Sequence, residues 1–362
     1  MDKRTALIWL NSIGISSDRI NKLSEWANGL TNIYDLSKEE IKNSGLLSPS
    51  QQLRFFDKNR TGYLTDYIKR VRITGAEIIT ILDDVYPDSL RTIADSPKVL
   101  YVKGSFLKED SISISIVGSR KATAYGRWAS ESFTKDLVKL GVTIVSGLAT
   151  GIDSYAHRTA IDNNGRTIGI LGCGIDIIYP KKNRNLFEEV ERAGAIVSEF
   201  PLGTPPLQHH FPMRNRIISG MSLGVLVIEA QEKSGTLITA GFAAEQGREV
   251  FALPGNINSL YSKGTNLLIR DGARPLLSVE DIIEEIPELK QRSMMKKLDD
   301  IGDIPLSETE RKIVDILKEG PLHCDIIALR TGLNVSTVLG TLTILEMKQV
   351  IQELGSRVYM IS

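Results

Sequence analysis

"SISISIVGSRKATAYG", residues 111–126, alternates polar and apolar side chains and then breaks into a glycine followed by two basic residues. A strand feeding a glycine turn is how many nucleotide-binding α/β domains begin, yet this one is not G-x-G-x-x-G. Arg120 stands where a dinucleotide-binding turn keeps its backbone bare. The stretch therefore predicts a strand tip that offers an anion both main chain and a guanidinium.

Outward from this point the strand–glycine–helix pattern repeats. "SISIV", "VTIVSG", "TIGILG", "AIVSE", "VLVIEA" and "EVFALPG" are short, rich in Val and Ile, and apolar on both faces. Buried parallel strands have that character, because helices cover both sides of the sheet. Helical stretches such as "GRWASESFTKDLVKLG" supply the length of a right-handed crossover. The fold class expected is α/β, a Rossmann-like doubly wound, mostly parallel sheet. Two further strands, "EIITIL" and "VLYVKG", precede it, so the extended domain is placed at 73–286.

Residues 1–72 read as a small helical domain of SAM or helix-hairpin-helix type, with the capping box Ser37/Glu40 and glycine turns in "SIGIS" and "NSGLLS". Residues 287–306 are charged, carry a proline near each end, and read as a flexible linker. From Ser307, itself half of a capping box with Glu310, three helices and a hairpin over Gly355–Ser356 spell a winged helix-turn-helix domain, 307–362.

The 362 residues contain 44 basic and 44 acidic side chains, so bulk charge names no partner and any polyanion site must come from local clustering. Cys173 and Cys324 are the two cysteines and form no C-x-x-C, which predicts reduced thiols and a cytoplasmic protein. The apolar stretch at the N-terminus is stopped by Asn11 and Ser12, too short for a signal peptide, and no membrane insertion is expected.

In an open α/β sheet, ligands bind beyond the carboxyl ends of the strands. Those loops carry Gly118, Ser119, Arg120 and Lys121; then Gly147 and Gly151; then Gly172, Gly174, Lys181 and Lys182; then Arg214, Asn215 and Arg216; then Lys233, Ser234, Gly235 and Thr236. Between 112 and 286 acids and bases balance at 18 each, but cations outnumber acids at these tips. Glycine admits a close anion, helix N-termini add positive ends, and arginine matches phosphate oxygens. Several such loops side by side suit a ligand with several phosphates in a row. Glu199, Glu229 and Glu232 are the nearby acids, placed to fix the arginines or to bond bases, and Phe211 and Tyr179 flank the basic loops as stacking or packing rings.

Other chemistries fit less well. "VTIVSG" ends without the acid that a dinucleotide ribose requires, and there is no G-x-x-x-x-G-K-[ST]. Asp153 and His157 lie i, i+4 at a helix start and read either as an acid/base pair or as a helix-end acid with a packed histidine. His209-His210 lacks a third metal ligand, and Ser119 and Ser234 lack a G-x-S-x-G frame. No catalytic residue, metal or cofactor is assigned.

With "VGSRKATAYG", "SGLATGIDSYAH", "GCGIDIIYPKKN", "SEFPLG", "HFPMRNRIISG", "SGTLITAGFAAEQGREVFALPG" and "KGTNLLIRDGA" in that order, the sequence resembles the DNA-processing protein DprA (Smf) family along nearly the whole chain. The resemblance implies a non-enzymatic protein that holds single-stranded DNA, forms a homodimer through the Rossmann-like domain, and helps load the recombinase RecA during natural transformation. Carried over by motif, it implies DNA contacts at Gly118, Ser119 and Arg120, with Lys181 or Lys182, Arg214 and Arg216, Gly235 and Thr236 contributing.

A rival class is the LOG-type nucleotide phosphoribohydrolases, which carry P-G-G-x-G-T-x-x-E; here "KSGTLITAG" lacks the double glycine and has Thr239 at the glutamate position. A second rival is a nucleotide-sensing transcription regulator. Against it, "NVSTVLGTLTILEMK" has no cation before Lys348, and residues 307–362 hold six basic and seven acidic side chains. That balance favours protein contact or autoregulation over duplex reading by the winged helix.

Overall fold

The computed structural model describes residues 1–57, 60–302 and 304–361. The chain divides into two compact units, Met1–Pro287 and Glu288–Ser362.

The first unit opens with helices α1 (Lys3–Ser12), α2 (Ser17–Trp26), α3 (Lys38–Ser44), α4 (Pro49–Phe55) and α5 (Arg60–Ile73). Asp2, Ser37 and Ser48 cap α1, α3 and α4 through side-chain oxygens. Gly45 ends α3 in the left-handed region at φ +63°, a helix C-cap. The Gly14 turn is closed internally: its carbonyl accepts from Gln51 Nε2 at 2.7 Å. The boundary expected near residue 72 is no break in packing. Leu7, Trp9, Leu10, Phe55 and Tyr67 share one core with Val99 and Tyr101 of the sheet. Through that core runs a buried polar chain in which Tyr67 donates to the Tyr101 hydroxyl (2.8 Å), Tyr101 to Asn11 Oδ1 (2.6 Å), and Asn11 Nδ2 to the Glu199 carbonyl (3.1 Å).

Next come β1 (Glu77–Thr80), α6 (Asp88–Arg91), β2 (Val99–Gly104), β3 (Ser113–Val117), α7 (Ala124–Lys139), β4 (Thr143–Ser146), α8 (Ile152–Asp162), β5 (Thr167–Ile170), α9 (Arg184–Ala193), β6 (Gly194–Ser198), α10 (His210–Met221), β7 (Gly224–Val227), α11 (Gly235–Glu245), β8 (Glu249–Ala252), α12 (Lys263–Arg270), β9 (Arg274–Pro275) and α13 (Glu280–Glu285). The sheet has nine strands in the order β1-β2-β6-β5-β4-β3-β7-β8-β9. Strands β3 to β9 are parallel, and β2 joins β6 antiparallel, so the two early strands extend one edge.

The chain winds outward from β3 to β6 and then crosses back through α10 to β7 on the other flank of β3. Ile217, Ile218 and Met221 of α10 and Ala240 and Ala243 of α11 pack with Val117, Val145 and Val197. Leu186, Phe187 and Val190 of α9 pack on the opposite face with Ile196. That reversal makes the carboxyl ends of β3 and β7 the topological switch point, where a crevice opens.

The stretch expected as a flexible linker is helix α14 (Pro287–Gly302) instead. Proline is at home as a first helical residue, where its missing N–H would be unbonded anyway, and "ELKQRSMMKK" is rich in strong helix formers. The second unit continues with α15 (Glu308–Leu317), β10 (Leu322–His323), α16 (Cys324–Thr331), α17 (Val335–Met347), β11 (Ile351–Gly355) and β12 (Val358–Ile361). Its small sheet runs β10-β12-β11 over a core that includes Ile313, Leu317, Ile327, Leu342 and Tyr359. These three helices and a wing are the winged helix expected.

Candidate nucleic-acid interface

The β3 and β4 tips lock together at the backbone carbonyls of Ser119 and Arg120. Ile152 N donates to the Ser119 carbonyl (3.2 Å), and Thr150 Oγ1 donates to the Arg120 carbonyl (3.1 Å). This is where glycine is required. Gly151 sits at φ +80°, and a Cβ there would lie 2.2 Å from the Ser119 oxygen. The carbonyls of Ser119 and Arg120 are thereby turned inward onto protein donors, while the Arg120 side chain stands exposed at the rim.

Arg120 is not isolated. Its guanidinium lies over the ring of Phe211, 5.1 Å from the centroid, and Phe211 in turn lies 5.7 Å from the Tyr179 ring. Two adjoining grooves share Arg120, Ala149, Phe211 and Arg214. One is lined by Gly118, Asn215, Ser234, Gly235 and Thr236; the other by Gly147, Gly172, Tyr179 and Pro180. Together they form a trough across the tips of β3, β4, β5 and β7. The N-terminus of the 11-residue α11 opens into it, with Ser234 as N-cap accepting from Thr236 N at 3.2 Å.

Arg214 forms the floor. It is buried, and it donates to the carbonyls of Gly147 (2.7 Å) and Ile170. Burial pulls its pKa down to about 10, partly offset by the Asp153 carboxylate, so it stays cationic at neutral pH. Asp153 is raised by its own burial, with Arg214 opposing, and its Oδ2 accepts from Gly147 N (3.1 Å) and Ala149 N (3.4 Å).

Several expectations change here. The Gly147 amide, expected to face an anion, is spent on Asp153; the missing side chain makes room for the Arg214 guanidinium, which an added Cβ would meet at 2.6 Å. Arg216 leaves the site altogether. It is buried on the far side of α10, paired with Glu199 (2.6 Å) and Asp95 (2.9 Å); burial lowers its pKa, and those two carboxylates more than reverse the shift. Two residues after Arg214 on a helix is a rotation of about 200°, which faces the opposite way.

Lys121 is exposed beside the trough, its amide given to Ser119 Oγ at 3.0 Å. Lys181 and Lys182 are exposed on a single turn just after Tyr179 and Pro180, at the rim but outside the lining. Glu229 holds the α7 N-cap residue Thr123, not an arginine: it accepts from Thr123 N (3.1 Å) and Thr123 Oγ1 (2.5 Å). Asn183 was missed by sequence reasoning although "PKKN" pointed nearby; its amide ties the third tip to the second through the Leu148 carbonyl (2.9 Å) and Ser154 Oγ (3.0 Å).

Asp153 and His157 do not form a proton-sharing pair. His157 is fully buried, its Nδ1 bonds Thr167 Oγ1 at 2.7 Å, and burial with the nearby Arg214 charge depresses its pKa to about 3. His210 stacks on Phe200 at 4.4 Å and its Nδ1 contacts the Pro205 carbonyl. Among the described residues no single helix is long and apolar enough to cross a membrane.

The sequence pattern of the DNA recombination-mediator protein A family matches residues 77–287, and that of the DprA winged helix domain matches residues 303–356. The chain is 43% identical over 257 residues to the DNA processing protein DprA of Bacillus subtilis, covering 71% of this chain and 84% of the relative. It is 35% identical over 352 residues to protein Smf of Escherichia coli, covering 94% and 91%. The crystal structure of DprA from Streptococcus pneumoniae superposes with a TM-score of 0.69 at 35% identity, over 79% of this chain and 98% of its own. DprA from Helicobacter pylori, described for its single-stranded DNA binding mode, gives 0.53 at 29% identity, over 59% and 98%. The chain belongs to the DNA recombination-mediator protein A family, the DprA/Smf proteins.

Proposed function

We propose that this protein binds single-stranded DNA along the carboxyl edge of its sheet, without cleaving it, and assists RecA recombinase in natural transformation and recombination. The observation that carries the reading is the trough itself. It spans four strand tips and sets an exposed guanidinium against an aromatic ring, over a buried cationic floor. Phosphate contacts position a strand without reading it, and rings stack on any base, so binding is general rather than sequence-specific.

Gly118, Ser119, Arg120, Ser234, Gly235 and Thr236 make the phosphate-facing rim, with Asn215 alongside; Lys121, Lys181 and Lys182 add charge outside the trough. Arg214 and Gly147 act from beneath by holding the tips in place. The described single-stranded DNA binding of the Helicobacter pylori relative supports the ligand class. Non-catalytic action is supported by Thr239, which lines the trough where a LOG-type enzyme carries its glutamate, and by Asp153, whose carboxylate is engaged by two amides. The recombination-mediator family supports the RecA role; homodimerisation through the sheet unit and a cytoplasmic setting follow from the family resemblance and the reduced cysteines. In the winged helix, α16 and α17 expose Ile326, Leu329, Val335, Ile344 and Met347, an apolar surface suited to a protein contact rather than a duplex.

A mobility-shift comparison of single-stranded and duplex oligonucleotides, with and without RecA, tests this. Single strands are retarded preferentially and RecA joins the complex. Equal retardation of duplex, or release of free base from a nucleotide, overturns it.

A further inference from the structure

One aromatic surface adjoins the trough without belonging to it. Helix α7 leaves the β3 tip three residues after Lys121, and its outward side carries Tyr125 and Trp128, 46% and 60% exposed. The two rings stack on each other, with centroids 6.0 Å apart and planes inclined by 21°. They are held at the same edge of the sheet: Thr123 caps α7 and is bonded to Glu229 beyond β7, and the Tyr125 hydroxyl donates to the Pro254 carbonyl beyond β8 (3.2 Å).

Two exposed lysines flank the pair. Positions 125, 128, 132 and 135 follow one helical stripe, which ends in the exposed Lys135, and Lys121 stands just before it. The two acids of α7 are engaged elsewhere, Glu131 by Arg127 (2.7 Å) and Asp136 by Lys139 (2.9 Å). A second copy of the chain across a two-fold axis would bring this patch onto itself and set lysines against lysines. A polyanion with flat, stackable groups meets no such repulsion.

We infer that Tyr125 and Trp128 form a second base-stacking platform, on which single-stranded DNA leaving the Arg120–Phe211 trough continues past Lys121 along α7. This rests on the proposed function. The trough supplies the first stacked ring and the phosphate fork; α7 supplies a second ring and cations on either side of it. The bound strand then bends around the start of α7 instead of ending at the β3 tip.

Intrinsic fluorescence tests it in the full-length chain. Trp9 is buried, so a Trp26→Phe background leaves Trp128 as the exposed reporter. Oligo-dT is expected to quench that signal at saturation. Trp128→Ala removes the quench and weakens binding about fivefold, the low end for one base–aromatic stack, with the salt slope unchanged. Trp128→Phe retains most of the affinity, and because the side chain is exposed, thermal unfolding is unaltered in both variants. Undiminished affinity and absent quenching, in a protein whose binding still depends on Arg120, overturn the platform and leave the trough standing. A shift in oligomeric state for Trp128→Ala with DNA binding intact assigns the patch to a protein interface and overturns it as well. Failure of the parent chain to bind oligo-dT removes both readings together.

Discussion

The guanidinium of Arg120 rests over the ring of Phe211, 5.1 Å from its centroid, although the two residues are 91 positions apart in the chain. The contact holds a long, exposed side chain above the trough at little further entropic cost, since an exposed cation–π contact is worth about 0.5–1 kcal/mol. The cation and the ring can therefore meet a phosphate and its neighbouring base together.

Arg120→Ala is expected to weaken oligo-dT binding and to flatten the dependence of log affinity on log salt by about 0.7–1 unit, the signature of a lost phosphate contact. Phe211→Ala weakens binding with the slope retained, because stacking releases no counterions. Titrations at several salt concentrations separate the two, and an Arg120→Ala protein with parental affinity and slope would remove the arginine from the interface.

Gly151→Ala forces a side chain into a left-handed backbone conformation and onto the Ser119 carbonyl, 2.2 Å away. A loss of about 3 kcal/mol in stability is expected, together with failure of DNA binding as the β3 and β4 tips separate. Gly235→Ala is the contrast. A Cβ there meets nothing within 4 Å, so thermal unfolding stays at the parental temperature.

Arg216→Met leaves Glu199 buried without its partner. Breaking such a pair costs about 3–5 kcal/mol, so the unfolding midpoint falls while the salt slope of DNA binding in the folded protein stays parental. A changed slope would return Arg216 to the interface.

His157 sets part of the acid sensitivity. Its folded pKa of about 3 lies below its ordinary 6.5, so the unfolded chain binds the extra proton between those values. Stability from this group is complete above about pH 6.5 and is lost as pH falls toward 3, by about 1.4 kcal/mol per unit. Urea unfolding of His157→Gln across that range shows a slope shallower by about one proton; an unchanged slope assigns the acid sensitivity to other groups.

Much of this was legible beforehand, for identifiable reasons. Strands such as "TIGILG" and "VLVIEA" announce themselves because a parallel strand buried on both faces is apolar on both, and the carboxyl tips of such strands form the ligand edge of a doubly wound sheet. The linker was misread because charge and proline in "PELKQRSMMKKLDD" describe an exposed helix as well as an unstructured chain. Arg216 was misplaced because its neighbours on the helix, Arg214 and Asn215, line the trough, while its own carboxylate partners, Asp95 and Glu199, lie 121 and 17 positions away.

The sequence by itself determined the run of strands in the sheet, the family and the edge at which the trough opens, because these follow from local periodicity and from glycines that only certain turns require. Only the tertiary structure decided which cations are available. Arg120 is held on a ring at the rim, Arg214 is turned beneath it onto backbone carbonyls, and Arg216 is neutralised inside. Side-chain partners from distant segments set burial and pairing, and these decide whether a positive charge in a strand-tip loop faces a phosphate or holds the loop.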